Sequence, residues 1–394
     1  MKKILLVDDD ALVLELYRKK IVQGGYEVRT ANDGLEAIKV MGEFVPDFIV
    51  LDLMMPRLSG TDVLKFIRAK PALAKVPVAV LTNAFMSDQA RQVNAMGVSR
   101  AIVKGDCTPA RMLELVNEAL GAELIDASEP ANAVTSKAVP DITAEAPTAV
   151  PDARESFLAN IPTEFGGMLA LAEEFAGDPA SAVRTGSLSE LCRRAHHLSG
   201  AAGSAGFTDI ALLSSALEAL LFELGEKPQF LNQSITRTVT MAAEFLGILI
   251  QMSRTRPRLD AVIGTVLAVD DDPLANQIVL AALSRARIDT QAVENPSAAL
   301  ELLSRQSFDL VLLDIELPGM NGLELCRKIR ELPGYRHTPV IYITSHADFE
   351  HRAKAAGVAG DDLIIKPIFP IELTVKVVMH LIRVKLTIPA AQPG

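Results

Sequence analysis

The chain has 394 residues, 49% of them hydrophobic, and a formal net charge of −10 at pH 7. This length provides for two to four domains with separate cores. The net acidity offers no basic surface to a phosphate backbone, so nucleic-acid binding is disfavoured.

The sequence shows no sign of a membrane segment or a secretory signal. No run of eighteen apolar residues occurs, and the first apolar run ends early, at Asp8. We therefore expect a soluble, cytoplasmic protein without membrane insertion. The cysteines are far apart and lack the spacing of metal ligands, so we expect buried thiols in a reducing compartment. They are Cys107, Cys192 and Cys326.

Short apolar runs alternate with amphipathic helical patterns in the first third of the chain. This alternation predicts a parallel sheet covered by helices on both faces. We therefore predict an α/β domain over residues 1–121. The apolar runs cover 3–7, 48–51 and 78–81, and the helical patterns cover 11–22 and 34–41.

The middle of the chain has a different composition. Residues 122–150 are rich in alanine, proline, threonine, serine and acids, which predicts a flexible linker with a reach on the order of 30 Å. Residues 151–256 lack strand patterns, and we predict an all-α four-helix bundle there. The four predicted helices cover 155–176, 180–202, 208–225 and 230–253.

The last third of the chain repeats the α/β pattern of the first. We predict a second α/β domain over residues 262–386, joined to the bundle by a short connection, and a tail over 387–394. Its predicted strands cover 266–269, 310–313, 340–343 and 363–365.

Eight chemically important residues recur at one fixed separation (270 − 8 = 262). The constant separation indicates two copies of one domain. The recurring set contains carboxylates, a hydroxyl and an ammonium group. The pairs are Asp8 with Asp270, Asp9 with Asp271, Asp52 with Asp314, Pro56 with Pro318, Gly60 with Gly322, Pro77 with Pro339, Thr82 with Thr344 and Lys104 with Lys366.

The repeated polar residues follow the predicted strands, so we expect them to gather at the carboxyl edge of each sheet. Three crowded carboxylates require a cation, and an all-oxygen set suits Mg²⁺. Asp52, on the central strand, is placed to be a nucleophile that forms an aspartyl phosphate. Lys104 and Thr82 would hold the phosphoryl oxygens. The second copy would use Asp270, Asp271, Asp314, Thr344 and Lys366 in the same roles.

Both repeats resemble receiver domains of two-component signalling over nearly all of residues 1–121 and 263–385. The motifs Leu-Val-Asp-Asp-Asp, Val-Leu-Asp-Leu-Met-Met-Pro and Ile-Val-Lys-Gly carry the first match, and Ala-Val-Asp-Asp-Asp, Leu-Leu-Asp-Ile-Glu-Leu-Pro and Ile-Ile-Lys-Pro the second. The resemblance implies a flavodoxin-like, doubly wound sheet of five parallel strands in order 2-1-3-4-5. It also implies phosphorylation at Asp52 and Asp314.

The first repeat departs from the receiver pattern after its lysine. The family usually has proline there, as in Lys366-Pro367, but this repeat has Gly105. A cis bond before glycine costs about 3 kcal/mol, so we expect a trans bond. The family often has an aromatic residue three positions before the lysine, where this chain has Ala101 and Leu363. An aromatic switch is therefore not expected.

A histidine pair lies on the second predicted bundle helix. At about 100° per residue, His196 and His197 point away from the apolar stripe and diverge from each other, so they cannot chelate one metal. Gly200 and Gly203 lie on the face of His196 and leave space for another protein to approach its imidazole. A free imidazole is a competent phosphoryl acceptor.

This stretch resembles the signature of histidine phosphotransfer (HPt) domains, His-x-Leu-Lys-Gly. The match implies that His196 is the phosphorylated residue. Ser199 stands where the family commonly has lysine, so a hydroxyl replaces a positive charge. Arg193 or Arg194 could supply the missing charge.

The arrangement receiver–HPt–receiver predicts a phosphorelay protein that passes phosphoryl groups between Asp52 or Asp314 and His196, with Mg²⁺ at each aspartate. The expected partners are a sensor histidine kinase and other receiver or HPt proteins. The short connection to the second receiver would favour exchange between His196 and Asp314. The alternative is a non-enzymatic adaptor whose receivers control protein docking. No Walker or kinase nucleotide-binding motif occurs in the sequence.

Overall fold

The computed structural model describes most of the chain. The described residues are 1–55, 57–83, 85, 93–121, 151–178, 186–253, 255, 264–345 and 361–387. The predicted linker over 122–150 lies outside them.

The first α/β domain contains a parallel sheet of five strands in the order β2-β1-β3-β4-β5. This order confirms the sheet expected from the sequence. The central strand β3 is buried along its whole length, as a sheet covered on both faces requires. The strands are β1 (Lys3–Val7), β2 (Glu27–Ala31), β3 (Phe48–Asp52), β4 (Val78–Thr82) and β5 (Arg100–Val103).

Helices cover both faces of this sheet, and their starts follow from capping residues. Asp33 accepts hydrogen bonds from the backbone of the second helix, and Ser59 caps the third. One apolar cluster forms on each face, and odd and even positions of the strands alternate between the two. The helices are α1 (Ala11–Gln23), α2 (Gly34–Glu43), α3 (Gly60–Ala69) and α4 (Pro109–Gly121).

Four helices follow in the described part of the middle segment, as the sequence predicts, with shifted ends. Pro151 begins the first helix, because a helix needs no N–H donor in its first turn. The second helix continues to Ser204 and so includes part of the predicted turn. The helices are α5 (Pro151–Gly177), α6 (Ser187–Ser204), α7 (Thr208–Glu226) and α8 (Gln233–Met252).

The second α/β domain repeats the topology of the first. Its sheet has the order β10-β9-β8-β6-β7, which is the same arrangement read from the other edge. Its last helix extends through Thr387, which the sequence analysis assigned to the tail. The strands are β6 (Thr265–Val269), β7 (Asp289–Val293), β8 (Leu310–Asp314), β9 (Val340–Thr344) and β10 (Asp362–Ile365), and the helices are α9 (Pro273–Arg285), α10 (Pro296–Arg305), α11 (Gly322–Glu331) and α12 (Pro370–Thr387).

The chain divides into two compact units. The first contains residues 1–159 and the short segment 200–207, and the second contains 160–199 and 208–394. The first unit therefore holds the first α/β domain, and the second holds most of the bundle with the second α/β domain. Among the described helices, none has the length and apolar character needed to cross a membrane.

Candidate functional site

The polar residues of the first repeat meet at the carboxyl edge of the first sheet. The β3–β4 register pairs Asp52 with Leu81, and the β4–β5 register pairs Thr82 with Val103, just before Lys104. Parallel strands that end together bring these side chains to one edge. The structure therefore places Asp52, Thr82 and Lys104 at one edge of the sheet.

Lys104 lies at the centre of this first pocket. Its Nζ is 2.9 Å from Asp8 and also forms an ion pair with Asp52. All three side chains are almost fully buried. Burial by itself lowers the pKa of Lys104, but the charges of Asp52 and Asp8 outweigh it and raise the pKa above its usual value. The lysine therefore stays charged and partly neutralises the acids.

Backbone N–H groups orient the acids of both pockets. The N–H of Asp10 donates to Asp8, and the N–H of Met54 donates to Asp52. In the second domain the N–H of Asp272 donates to Asp270, and that of Glu316 to Asp314. Asp10 and Asp272 also accept backbone hydrogen bonds at the starts of α1 and α9, as helix N-caps do.

The repeated glycines have a steric explanation. A Cβ at Gly60 would lie 2.0 Å from the carbonyl oxygen of Asp52, and a Cβ at Gly322 would lie 2.3 Å from that of Asp314. No side chain fits at such distances. Each helix that follows the central acid therefore packs directly on the backbone of that acid.

The second pocket has the same residues with a more open lysine. Lys366 Nζ lies 2.9 Å from Asp314 and 3.0 Å from Asp270. The side chain of Lys366 is 25% exposed, against 4% for Lys104. Burial lowers the pKa of Lys366, while Asp314 and Asp270 raise it, and the net direction is upward. Burial also raises the pKa of Asp270. Thr344, at the end of β9, is buried.

Both pockets offer carboxylate oxygens close together. Oxygens of Asp270, Asp271 and Asp314 lie within 4.8 Å of one another, as do those of Asp9 and Asp52. This spacing and an all-oxygen donor set fit a hard divalent cation. The peptide bond between Lys366 and Pro367 is cis, whereas the bond between Lys104 and Gly105 is trans, as expected.

His196 has a carboxylate partner on the neighbouring bundle helix. The residue is buried, and its Nδ1 lies 2.9 Å from Oε1 of Glu218 on α7. Glu218 is itself only 1% exposed. A buried carboxylate at this distance favours the tautomer with hydrogen on Nδ1, which leaves the lone pair on Nε2.

The other polar residues near His196 have partners of their own. Ser199, at the position of the usual HPt lysine, is buried and shares a hydrogen bond of 2.7 Å with Ser215. Arg193 and Arg194 form ion pairs with Glu190 and hold the pKa of that carboxyl at about 2. Whether either arginine compensates for the missing lysine at Ser199 stays a prediction.

The sequence analysis missed Glu218. Its only signal in the sequence is a single acid in the apolar run Ala-Leu-Glu-Ala-Leu-Leu-Phe, at a position that α7 turns inward. Because the partner lies on another helix, spacing along the chain could not connect it with His196.

Comparisons with known proteins agree with this architecture. The family model described as the response regulator receiver domain matches residues 4–117 and 266–378, which is more than half of the chain. The Hpt domain model matches residues 152–246. The three matches account for both α/β domains and the helical segment.

Three similar proteins each match about a third of the chain or less. The signal transduction histidine-protein kinase BarA of Shigella flexneri is 36% identical over 104 residues, covering 26% of this chain and 11% of BarA. The polar-differentiation response regulator DivK of Brucella anthropi is 31% identical over 120 residues, covering 30% of this chain and 97% of DivK. The chemotaxis response regulator CheY4 of Vibrio cholerae, a solved structure, has 27% identity and a TM-score of 0.28, covering 29% of this chain and 98% of CheY4. The match thus spans 11% of the length of the first curated relatives.

Proposed function

Because the chain belongs to the response regulator receiver family and carries an Hpt domain between its two receiver domains, we propose that it is a phosphorelay protein. It would exchange phosphoryl groups between aspartate and histidine. One observation carries the proposal: a single chain combines two acid–lysine pockets with a buried histidine held by a carboxylate. Asp52 and Asp314 are the proposed phosphoacceptor aspartates, and His196 is the proposed phosphoacceptor histidine.

In the receiver domains the central aspartate would act as the nucleophile. When phosphate arrives from a phosphohistidine, a bond forms between the carboxylate oxygen and phosphorus as the bond between phosphorus and the ring nitrogen breaks. The electron pair of the broken bond returns to the imidazole. Lys104 with Thr82, and Lys366 with Thr344, would bind the phosphoryl oxygens.

The acids of each pocket would hold Mg²⁺. The proposed ligands are Asp8, Asp9 and Asp52 in the first domain, and Asp270, Asp271 and Asp314 in the second. The bound ion would neutralise negative charge on the phosphoryl group. The close oxygens of Asp270, Asp271 and Asp314, and those of Asp9 and Asp52, support this assignment.

In the bundle, Glu218 would set the chemistry of His196. With hydrogen on Nδ1, the lone pair of Nε2 is available to attack phosphorus. The ring becomes positively charged on phosphorylation, and the carboxylate of Glu218 stabilises that charge. Hydrogen bonds to charged groups contribute about 1.5–3 kcal/mol, which corresponds to a tenfold to hundredfold effect on rate.

The proposed partners are those that such a relay requires: a sensor histidine kinase, or other receiver or HPt proteins. We propose a cytoplasmic location and no nucleic-acid partner, in keeping with the acidic net charge. Within the described residues, no observation favours the alternative of a non-enzymatic adaptor.

The proposal is tested by loading the full chain with acetyl phosphate and Mg²⁺ and separating the products on Phos-tag gels. Asp52→Ala and Asp314→Ala should each remove one alkali-labile phosphate. His196→Gln should remove the phosphate that is acid-labile but stable in alkali, and leave aspartate loading intact. Chelation of Mg²⁺ should prevent aspartate loading. Acid-labile, alkali-stable phosphate that persists in His196→Gln would exclude this histidine.

The role of Glu218 has a sharper test. Glu218→Ala should slow phosphoryl transfer to His196 about tenfold to a hundredfold, and Glu218→Gln should slow it less, because the amide oxygen still accepts a hydrogen bond. Nitrogen NMR of the ring should show a mixed tautomer in the alanine variant alone. The matched control is Glu223→Gln, on the same helix with Lys227 as its partner. A tautomer unchanged in Glu218→Ala would contradict the role.

A further inference from the structure

A very close contact lies inside the first compact unit, where the segment 200–207 packs with the first receiver domain. A Cβ built at Gly203 would lie 2.4 Å from the carbonyl oxygen of Gly105 and 2.8 Å from its Cα. Side chains do not approach backbone atoms so closely. The contact therefore requires glycine at position 203.

Other residues of the same segment lie on the same surface of the domain. A Cβ at Gly200 would lie 2.9 Å from Cε of Lys104. Ser204 is fully buried and is near enough to the phenol of Tyr17 to influence its pKa, which burial raises well above the usual value. The Tyr17 hydroxyl donates to the carbonyl oxygen of Cys107. The surface is thus formed by α1 and by the loop that follows β5.

The second receiver domain differs from the first at two positions of this surface. At the repeat separation, Pro367 replaces Gly105 and Val279 replaces Tyr17. The proline ring adds atoms where Gly105 leaves space for backbone contact, and valine has no hydroxyl. The departure from the receiver pattern at Gly105 therefore has a structural role in one domain of the pair.

We propose that Gly105 and Gly203 form a matched contact that selects the first receiver domain as the exchange partner of His196. This inference rests on the proposed function, and it reverses the expectation from the short connection, which favoured Asp314. Gly203 lies seven residues after His196, two turns later on the same helix. A helix anchored at Gly203 would present its histidine for exchange with Asp52.

The exchange is balanced within the two side chains. As the bond between a carboxylate oxygen of Asp52 and phosphorus breaks, a bond forms between phosphorus and Nε2 of His196. The electron pair of the broken bond stays on the carboxylate. Nδ1 keeps its proton, and no other reactant is needed. The reverse step uses the same contact.

The test uses the full chain in an Asp314→Ala background, so that only the first receiver accepts phosphate. The protein is loaded with acetyl phosphate and Mg²⁺, and the alkali-stable, acid-labile phosphate on His196 is followed with time. Gly203→Ala should leave loading of Asp52 unchanged and slow transfer to His196 about a hundredfold, the loss that a misplacement of about 1 Å can cause.

Gly166→Ala is the matched control, because Gly166 lies on α5 and its Cβ would meet nothing within 4 Å. Alanine has a higher helix propensity than glycine, and both variants introduce it. Helix propensity therefore cannot explain slower transfer in Gly203→Ala. Gly105→Ala tests the contact from the receiver side, away from the bundle, and should also slow transfer.

The outcomes separate the two proposals. Label on His196 that forms equally fast in Gly203→Ala and Gly166→Ala would overturn the matched contact alone. Absence of label on His196 in the parent chain would overturn the proposed relay and the matched contact with it. Slow transfer in both contact variants, with normal loading of Asp52, supports the inference. A thermal melt identifies any variant that fails to fold. If Gly203→Ala fails to fold, the rate of transfer to His196 in Gly105→Ala decides the result.

Discussion

The two receiver domains share one set of site residues but differ in their last helix. Helix α4 of the first domain buries one face and exposes charged residues such as Arg111 and Glu118. Helix α12 of the second domain is buried over most of its length, including Glu372, Lys376 and His380. The same fold thus supports a half-exposed helix in one copy and an internal helix in the other.

The buried charges of α12 are paired within the second compact unit. Lys376 Nζ lies 2.7 Å from Asp362, and His380 lies 3.4 Å from the same carboxylate. Burial raises the pKa of Asp362, but His380 and Lys376 outweigh it and hold the pKa well below the usual value. Asp362 begins β10, the strand that ends just before Lys366.

The bundle completes the surroundings of α12. Ser234 and Thr238 of α8 both donate to Glu372, at 2.5 and 3.1 Å. Phe230 stacks on Phe369, and Arg383 lies over the ring of Phe245. Duplicated domains can thus keep the same site residues while one copy becomes part of a larger packed unit.

The largest expected effect is in this buried network. Lys376→Met should lower the free energy of unfolding of the second unit by about 3–5 kcal/mol, because it leaves the buried Asp362 without its closest cation. The control is Arg111→Met on α4, whose exposed pair with Glu114 contributes at most about 1 kcal/mol. Urea unfolding followed by hydrogen exchange of each domain measures both. Equal losses of unfolding free energy in the two variants would contradict the expected difference between α12 and α4.

A smaller difference in stability is expected between variants of the two site lysines, Lys104 and Lys366. Lys104→Met should destabilise its domain by on the order of 1–2 kcal/mol more than Lys366→Met does, because Lys104 is almost fully buried and Lys366 is partly exposed. Domain-resolved hydrogen exchange without Mg²⁺ gives the comparison. A greater loss for Lys366→Met would show that burial does not set the strength of these pairs.

The smallest expected effect is a pH dependence at Glu372. Burial raises the pKa of this carboxyl above the usual value of 4.5. Its contribution to stability is therefore complete below pH 4.5 and declines as pH rises through the higher pKa of the folded state. Glu372→Gln keeps an oxygen that accepts from Ser234 and Thr238 but cannot ionise.

The measurement for Glu372 is the difference in unfolding free energy between the parent and Glu372→Gln as pH increases. The variant should gain stability relative to the parent above pH 4.5. Glu114→Gln, at an exposed position on α4, is the matched control. If the parent instead becomes more stable relative to Glu372→Gln as pH rises, the expected sign is contradicted.

Sequence reasoning predicted the architecture because its signals are local. Apolar runs that end in Asp8 or Thr82 reveal strands, and parallel strands necessarily bring their ends together. The strand order came from the resemblance to receivers and is confirmed. Gly60 stood out in the sequence because it recurs as Gly322. Its steric role depends on the close approach of α3 to the backbone of Asp52, which the sequence does not show.

The remaining features depend on packing between distant segments. The hydrogen bond between His196 and Glu218, the burial of α12 and the contact at Gly203 each join residues far apart in the sequence. A helical wheel treats one helix at a time, so it could not predict the partner of His196 on α7. In α12, the apolar pattern is interrupted by charges whose partners lie on other elements.

The most direct test of the account is phosphorus NMR of the full chain during reaction with acetyl phosphate and Mg²⁺. The account predicts an acyl phosphate signal first and a phosphoramidate signal afterwards. The second signal should be absent in His196→Gln and strongly delayed in Asp52→Ala. A phosphoramidate signal that survives in His196→Gln, or acyl phosphate alone throughout the reaction of the parent chain, would contradict it.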